Sequence, residues 1–247
     1  MYLASALELF TKPGFSWLFR TAHVVFGVAW IGLLYYFNFV QVPAFAKMEA
    51  PHRSGAIDQL VPRALWYFRW AAAATAVTGI GLYGLQQSLH AYDGGNTNHS
   101  ILTGMLIGLI MLTNVWMYIW PNQRIVIANA RGLLAGKEAD PNVAAAGRKA
   151  LLPSRTNALL SFPMLMFMTG TAHFFGSGHF DANGGKVVIY WILVLAILGA
   201  IEANALGFVG GMQGPGTKLL EDYKNVFYGS VGLSVLFYLL WEIILRA

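Results

Sequence analysis

The chain contains no cysteine in its 247 residues. That absence excludes disulfides, thiolate-held metals, iron–sulfur clusters and covalently attached c-type haem together. Charge is scarce as well: 11% of residues are Asp, Glu, Lys or Arg, against 57% hydrophobic. Ten-residue stretches of alternating polarity, the mark of a membrane β-barrel, are missing. So is a basic n-region followed by an apolar core and a small-residue cleavage site, and MYLASALELFTKPGF does not read as a removable signal peptide. No nucleic-acid-binding motif accompanies the net charge of +5.

What is present is apolar sequence in long runs. Mean hydropathy is +0.54, and the runs are about 20 residues long, enough to cross hydrocarbon as helix. In lipid the backbone must satisfy its own hydrogen bonds, so continuous runs select helices. The expectation is an all-α polytopic bundle, one domain over 1–247, with six crossings at about 17–42, 64–90, 99–120, 153–176, 187–210 and 223–245. The first crossing would serve as the insertion signal. Between the third and fourth, Pro121 to Pro153 is basic, and IVIANARGLLAGK reads as an amphipathic helix lying in the interface.

Loop charge predicts orientation. Twelve of the sixteen Lys and Arg fall after crossings one, three and five, and the other ends carry only Lys12, Arg20, Lys186 and Arg246. Both termini are therefore expected on the periplasmic side of a bacterial inner membrane, with the positive charge facing anionic inner-leaflet lipid. Lipid is the expected partner and nucleic acid is not.

The histidines are distributed unevenly. His23, His90, His99, His173 and His179 fall at the outer ends of the crossings, and only His52 lies on the cytoplasmic side. His23 and His173 sit inside apolar runs at similar depth, where an ionisable group implies function. Facing imidazoles in a helical bundle are a usual way to hold noncovalent haem b, so these two are the expected axial ligands, with His90 and His99 in reserve. His23, Gly27 and Trp30 share one helical face, on which glycine lets a porphyrin approach and the indole flanks it. Arg20, one turn outward, is placed to pair with a propionate. Packing, snorkelling and ordinary interhelical hydrogen bonds are the competing readings of the same residues. Glu242, alone in LLWEIIL, is a candidate second-sphere acceptor for a ligating histidine; Met166 and Met168 read as core filler.

A second polar set lies toward the inner ends: Asn38, Gln41, Asn114, Asn157, Glu202 and Asn204, with Arg69 at a similar level. A buried Glu202 needs a cation, a proton or water, and an Arg69–Glu202 pair is one solution. Interhelical hydrogen bonds are the favoured reading, a proton path or a substrate pocket the other.

Three segments, HVVFGVAWIGLLYYFNFVQ at 23–41, ALWYFRWAAAATAVTGIGLYG at 64–84 and SRTNALLSFPMLMFMTGTAHF at 154–174, resemble in that order the membrane domain of the bacterial membrane-bound urate oxidases, or urate hydroxylases. Together they cover about a third of the chain. The first also resembles the opening helix of copper-resistance membrane proteins and membrane protoporphyrinogen oxidases. Thr156 stands where that urate-oxidising family has a histidine before the asparagine, and the family's C-terminal c-type cytochrome domain is not in this sequence. The resemblance implies a haem-bearing ancestry and assigns no catalytic residues. Three functions are expected on these grounds: electron transfer with a periplasmic cytochrome c or quinol, oxidation of urate or another small organic molecule, or a cofactor- or pigment-binding role as a subunit of a larger respiratory or photosynthetic complex.

Overall fold

The protein is described by a computed structural model covering residues 8–92, 95–175 and 183–246. Among these residues every regular element is helical. The long helices are α1 (Lys12–Lys47), α2 (Ala50–Ser88), α3 (Thr97–Leu134), α4 (Val143–Phe175), α5 (Gly184–Ala205) and α6 (Tyr223–Arg246). All but α2 are long and apolar enough to cross a membrane, which gives five candidate spans where six are expected. The exception has its cause in composition. The first half of α2 is polar, and Arg69 and the Gln86–Gln87 pair interrupt the rest.

α2 nevertheless runs antiparallel to α1 along most of its length. Phe37 meets Phe68 edge to face at 5.4 Å, His23 bonds the Thr75 carbonyl, and Gln86 Nε2 donates to Ser16 Oγ at 3.0 Å. Ser16 to Phe37 covers about 31 Å at the helical rise, close to the thickness of a hydrocarbon core. Glycines on α2 permit the contact. A Cβ at Gly79 would lie 2.8 Å from His23 Cε1, and one at Gly81 would strike the Phe19 ring. Small residues admitting a partner side chain are the usual means of helix packing where lipid supplies no hydrophobic drive.

α4 is the hub. Its buried Leu160, Met164 and Phe167 belong to one core with Ile107, Met111 and Val115 of α3 and Phe237 of α6, and a Cβ on Gly104 of α3 would already press Phe167 Cβ at 3.1 Å. The end carrying His23, His90, His99 and His173 is termed the histidine end. The end carrying Arg124, Arg131, Arg148 and Arg155 is the basic end.

At the basic end the helices run further than the apolar pattern indicates. α2 begins at Ala50, α3 continues to Leu134 and α4 begins at Val143. The IVIANARGLL part of this stretch thus continues α3 to Leu134 and the AGK that follows turns away from it, so there is no separate interfacial helix. Proline is the misleading signal: Pro62 and Pro153 lie inside helices. Two wide π-helical turns, Tyr36–Gln41 and Asn114–Ile119, each immediately precede a residue followed by proline, Val42–Pro43 and Trp120–Pro121. A proline ring clashes with the carbonyl one turn back, and a widened turn makes room for it without ending the helix.

Candidate functional site

The histidine end is tied together by polar contacts radiating from the start of α3. Asn98 Oδ1 accepts from Tyr83 of α2 at 2.9 Å and from Gln87 Nε2 at 3.1 Å. Ser100 meets Thr171 of α4 at 2.9 Å, and Thr103 meets Tyr190 of α5 at 2.8 Å. Satisfied hydroxyl and amide pairs of this kind fix helix register in lipid at modest cost. The histidines sit around this crown, and each has a different chemical setting.

His23 is half-buried against α2. Its Nδ1 lies 2.8 Å from the Thr75 carbonyl and 3.5 Å from Thr78 Oγ1. A carbonyl only accepts, so in the neutral ring the proton is on Nδ1 and the Nε2 lone pair is available. This is the tautomer a metal-ligating histidine needs, with the backbone carbonyl in the orienting role. His99 is set the opposite way. Trp191 Nε1 donates to its Nδ1 at 3.3 Å, and because an indole only donates, the neutral His99 carries its proton on Nε2. Ligation by His99 would require giving up that bond or moving the proton.

His173 lies in a π-helical turn, Thr171–Phe175, that ends α4. The extra residue per turn shifts the helical phase, and His173 emerges exposed while Phe175 turns inward onto Phe167 at 5.1 Å and Trp241 at 4.6 Å. Thr171 Oγ1 bonds back to the Phe167 carbonyl at 2.6 Å where this turn begins, a local competition with the helical ladder. His90 closes α2 with φ of 58°; Ala91 N returns to the Gln86 carbonyl at 3.0 Å, so His90 occupies the left-handed position usually given to glycine at a helix end. His179 falls outside the described residues.

The structure therefore gathers His23, Gly27 and Trp30 against α2 and leaves His173 on the exposed side of α4. No described hydrogen bond or ring contact links His23 to His173. The polar and ring contacts that join α1 to α4 lie toward the basic end, at Tyr35–Ser161, Tyr35–Phe162 and Asn38–Ser154. Gly27 is loosely packed, since a Cβ there would meet only Thr75 Cγ2 at 3.9 Å. Trp30 is buried with its indole N–H unpartnered, an open donor in an apolar core. Arg20 is exposed, and its charge reaches the Tyr92 phenol, which burial pushes up. Among the described residues Glu242 bonds no histidine; it pairs with Arg246 one turn on at 2.9 Å. Met166 and Met168 pack against the core.

The residues present fit a haem in part. His23 offers a correctly protonated ring on a fixed backbone anchor, the exposed His173 retains its nitrogens, and the Trp30 donor lacks an acceptor. Among the described residues no group of three or more His, Asp or Glu forms a metal cluster; a bis-imidazole haem asks for two.

Toward the basic end the second polar set forms a network. Asn114 Nδ2 donates to Asn157 Oδ1 at 2.9 Å and to Glu202 Oε1 at 3.0 Å, and Asn157 Nδ2 donates to the Met111 carbonyl at 2.9 Å. This joins α3, α4 and α5 through side chains that sequence places only by depth. An Arg69–Glu202 pair is not formed. Arg69 lies over Trp120 at 3.8 Å and Trp116 at 5.1 Å instead.

Residues 90–204 match the family model described as urate oxidase N-terminal. That stretch is a urate oxidase-like membrane domain. It contains the crown on α3, all of α4 with His173, and α5 with Tyr190, Trp191 and Glu202. Of the three resembling segments only 154–174 falls inside it, and α5, which carries no recognisable motif, is covered too. No curated protein and no solved structure matches the chain.

Proposed function

We propose that this chain is the membrane part of a urate-oxidising redox protein, holding haem b at its histidine end and passing electrons to a c-type cytochrome or the quinol pool. The observation that carries the proposal is the urate oxidase N-terminal match over residues 90–204. The tautomer of His23 supports the haem. In this reading α2 completes a sixth crossing, the termini face the periplasm, and the membrane is the bacterial inner membrane, in keeping with the loop charges.

Haem would supply a one-electron centre, and the residues supply its setting. The Thr75 carbonyl holds the His23 ring in orientation and makes its Nε2 a better donor. His173, exposed on α4, would supply the second imidazole. Arg20, exposed one turn outward from His23, would offer a guanidinium to a haem propionate.

The test is a reduced-minus-oxidised spectrum of the purified chain with a pyridine haemochrome assay. Wild type should show low-spin haem b bands. His23→Ala should abolish them, and His173→Ala should convert them to high-spin or abolish them. Bands unchanged in both variants, or absent from wild type, would refute the haem assignment.

A further inference from the structure

At the basic end a groove of about 790 Å³ is lined by Trp120, Arg124, Arg131, Lys137 and Asp140, with Pro62 across it on α2. Its charges are unevenly compensated. Arg131 pairs with Asp58 through a 2.6 Å Nε–Oδ1 contact, whereas among the described residues no carboxylate pairs with Arg124, or with Arg69, which lies outside the groove lining on the ring of Trp120. Arg69 Nε is fully shielded and has no hydrogen-bond partner, while its guanidinium plane rests on Trp120 and Trp116.

The surrounding aromatics give the depth of this site. Trp66, Tyr67 and Trp70 are exposed on α2, and Trp70 meets Trp116 of α3 at 5.4 Å. Exposed Trp and Tyr at one level mark the boundary between headgroups and acyl chains. Two guanidiniums without counter-charge, one in this belt and one on the turn below it, face the layer where lipid phosphates lie. Guanidinium forks match phosphate oxygens in geometry, and exposed indoles beside them suit the first carbons of an acyl chain.

We infer that Arg69 and Arg124 form a specific site for the phosphate of an anionic phospholipid, seated between α2 and α3 at the basic-end interface. The lipid phosphate supplies the counter-charge that Arg69 and Arg124 lack, meeting Arg69 at its terminal nitrogens and not at the shielded Nε, and it bridges α2 and α3 at this level. The inference is independent of haem and of urate.

The full chain in a neutral detergent is titrated with phosphatidylglycerol or phosphatidylcholine, and bound lipid is counted by native mass spectrometry. Wild type should prefer phosphatidylglycerol about tenfold. Each of Arg69→Gln and Arg124→Gln should weaken its retention roughly fivefold, the worth of one basic side chain at a membrane surface. Lys149→Gln, which removes an exposed cation at the same end that does not line this groove, should leave the preference for phosphatidylglycerol over phosphatidylcholine unchanged. Arg124 is exposed, so Arg124→Gln preserves the fold and carries the test if Arg69→Gln does not. Equal retention of both lipids, or an Arg124→Gln variant that keeps wild-type preference, overturns the site. Displacement of the lipid by millimolar inorganic phosphate also overturns it, because the groove would then serve a soluble anion.

Discussion

At the residue scale the decisive contact is His23 on Gly79. The ring reaches the Thr75 carbonyl because α2 carries no side chain at position 79. Gly79→Ala should drive the ring off that carbonyl. Overpacking costs about 1–3 kcal/mol, and alanine returns about 1 kcal/mol of helix propensity, so the melting temperature should fall only slightly. The haem spectrum is the sensitive readout and should lose low-spin character. Gly84→Ala, where a Cβ meets open space, should leave it unchanged; equal effects of the two variants would contradict the account.

A second residue pair reports on the basic end by pH. The Arg131 guanidinium beside Asp58 holds its carboxyl below the usual carboxylate range. A depressed folded-state pKa stabilises the fold above the unfolded value of about 3.9, and that contribution disappears as pH falls through the lower folded value. Both groups reach solvent, so the effect is small and salt-sensitive. Asp58→Asn should therefore melt slightly below wild type at pH 6, and the two melting curves should converge toward pH 3. A constant gap would show that Asp58 acts through something other than its charge.

At the element scale, hydropathy locates the helices and misses their ends. Apolar runs reveal only the part of a helix that faces lipid, and the polar turns at 50–63, 121–134 and 143–152 continue the same rods in water. Helix faces are harder still to read. The triplet His23, Gly27 and Trp30 shares a face in the structure because α1 is regular there, whereas His173 sits in a π-helical turn where the 3.6-residue phase fails. Partners across helices, such as Arg69 on Trp120 or Asn114 on Glu202, depend on which helices are neighbours, and depth alone does not supply that. α2 remains the element to test. Because the chain has no cysteine, single thiols report cleanly. Val77→Cys and Ile80→Cys, on its exposed apolar face, should react with a membrane-impermeant maleimide roughly tenfold more slowly than Gln59→Cys at the basic end, as expected for thiols shielded from water. Equal rates would place α2 outside the bilayer and leave five crossings.

At the scale of the whole molecule, two differently built ends share one bundle. The histidine end is held by the Asn98, Ser100 and Thr103 contacts of α3, all inside the urate oxidase-like segment. His23 and its α2 support lie outside that segment, so the proposed haem would join matched and unmatched parts of the chain. The basic end is built differently, from helical extensions strapped by Arg148, which bonds the Met212 carbonyl at 2.7 Å and the Glu221 carboxylate at 2.8 Å. The central claim is that this membrane domain takes electrons from urate through a haem at the histidine end. It is tested most directly by adding urate to the oxidised, purified chain under anaerobic conditions and recording the haem α-band. The account predicts that the band rises with urate in wild type and stays flat in His23→Ala; a haem that dithionite reduces and urate does not would contradict it.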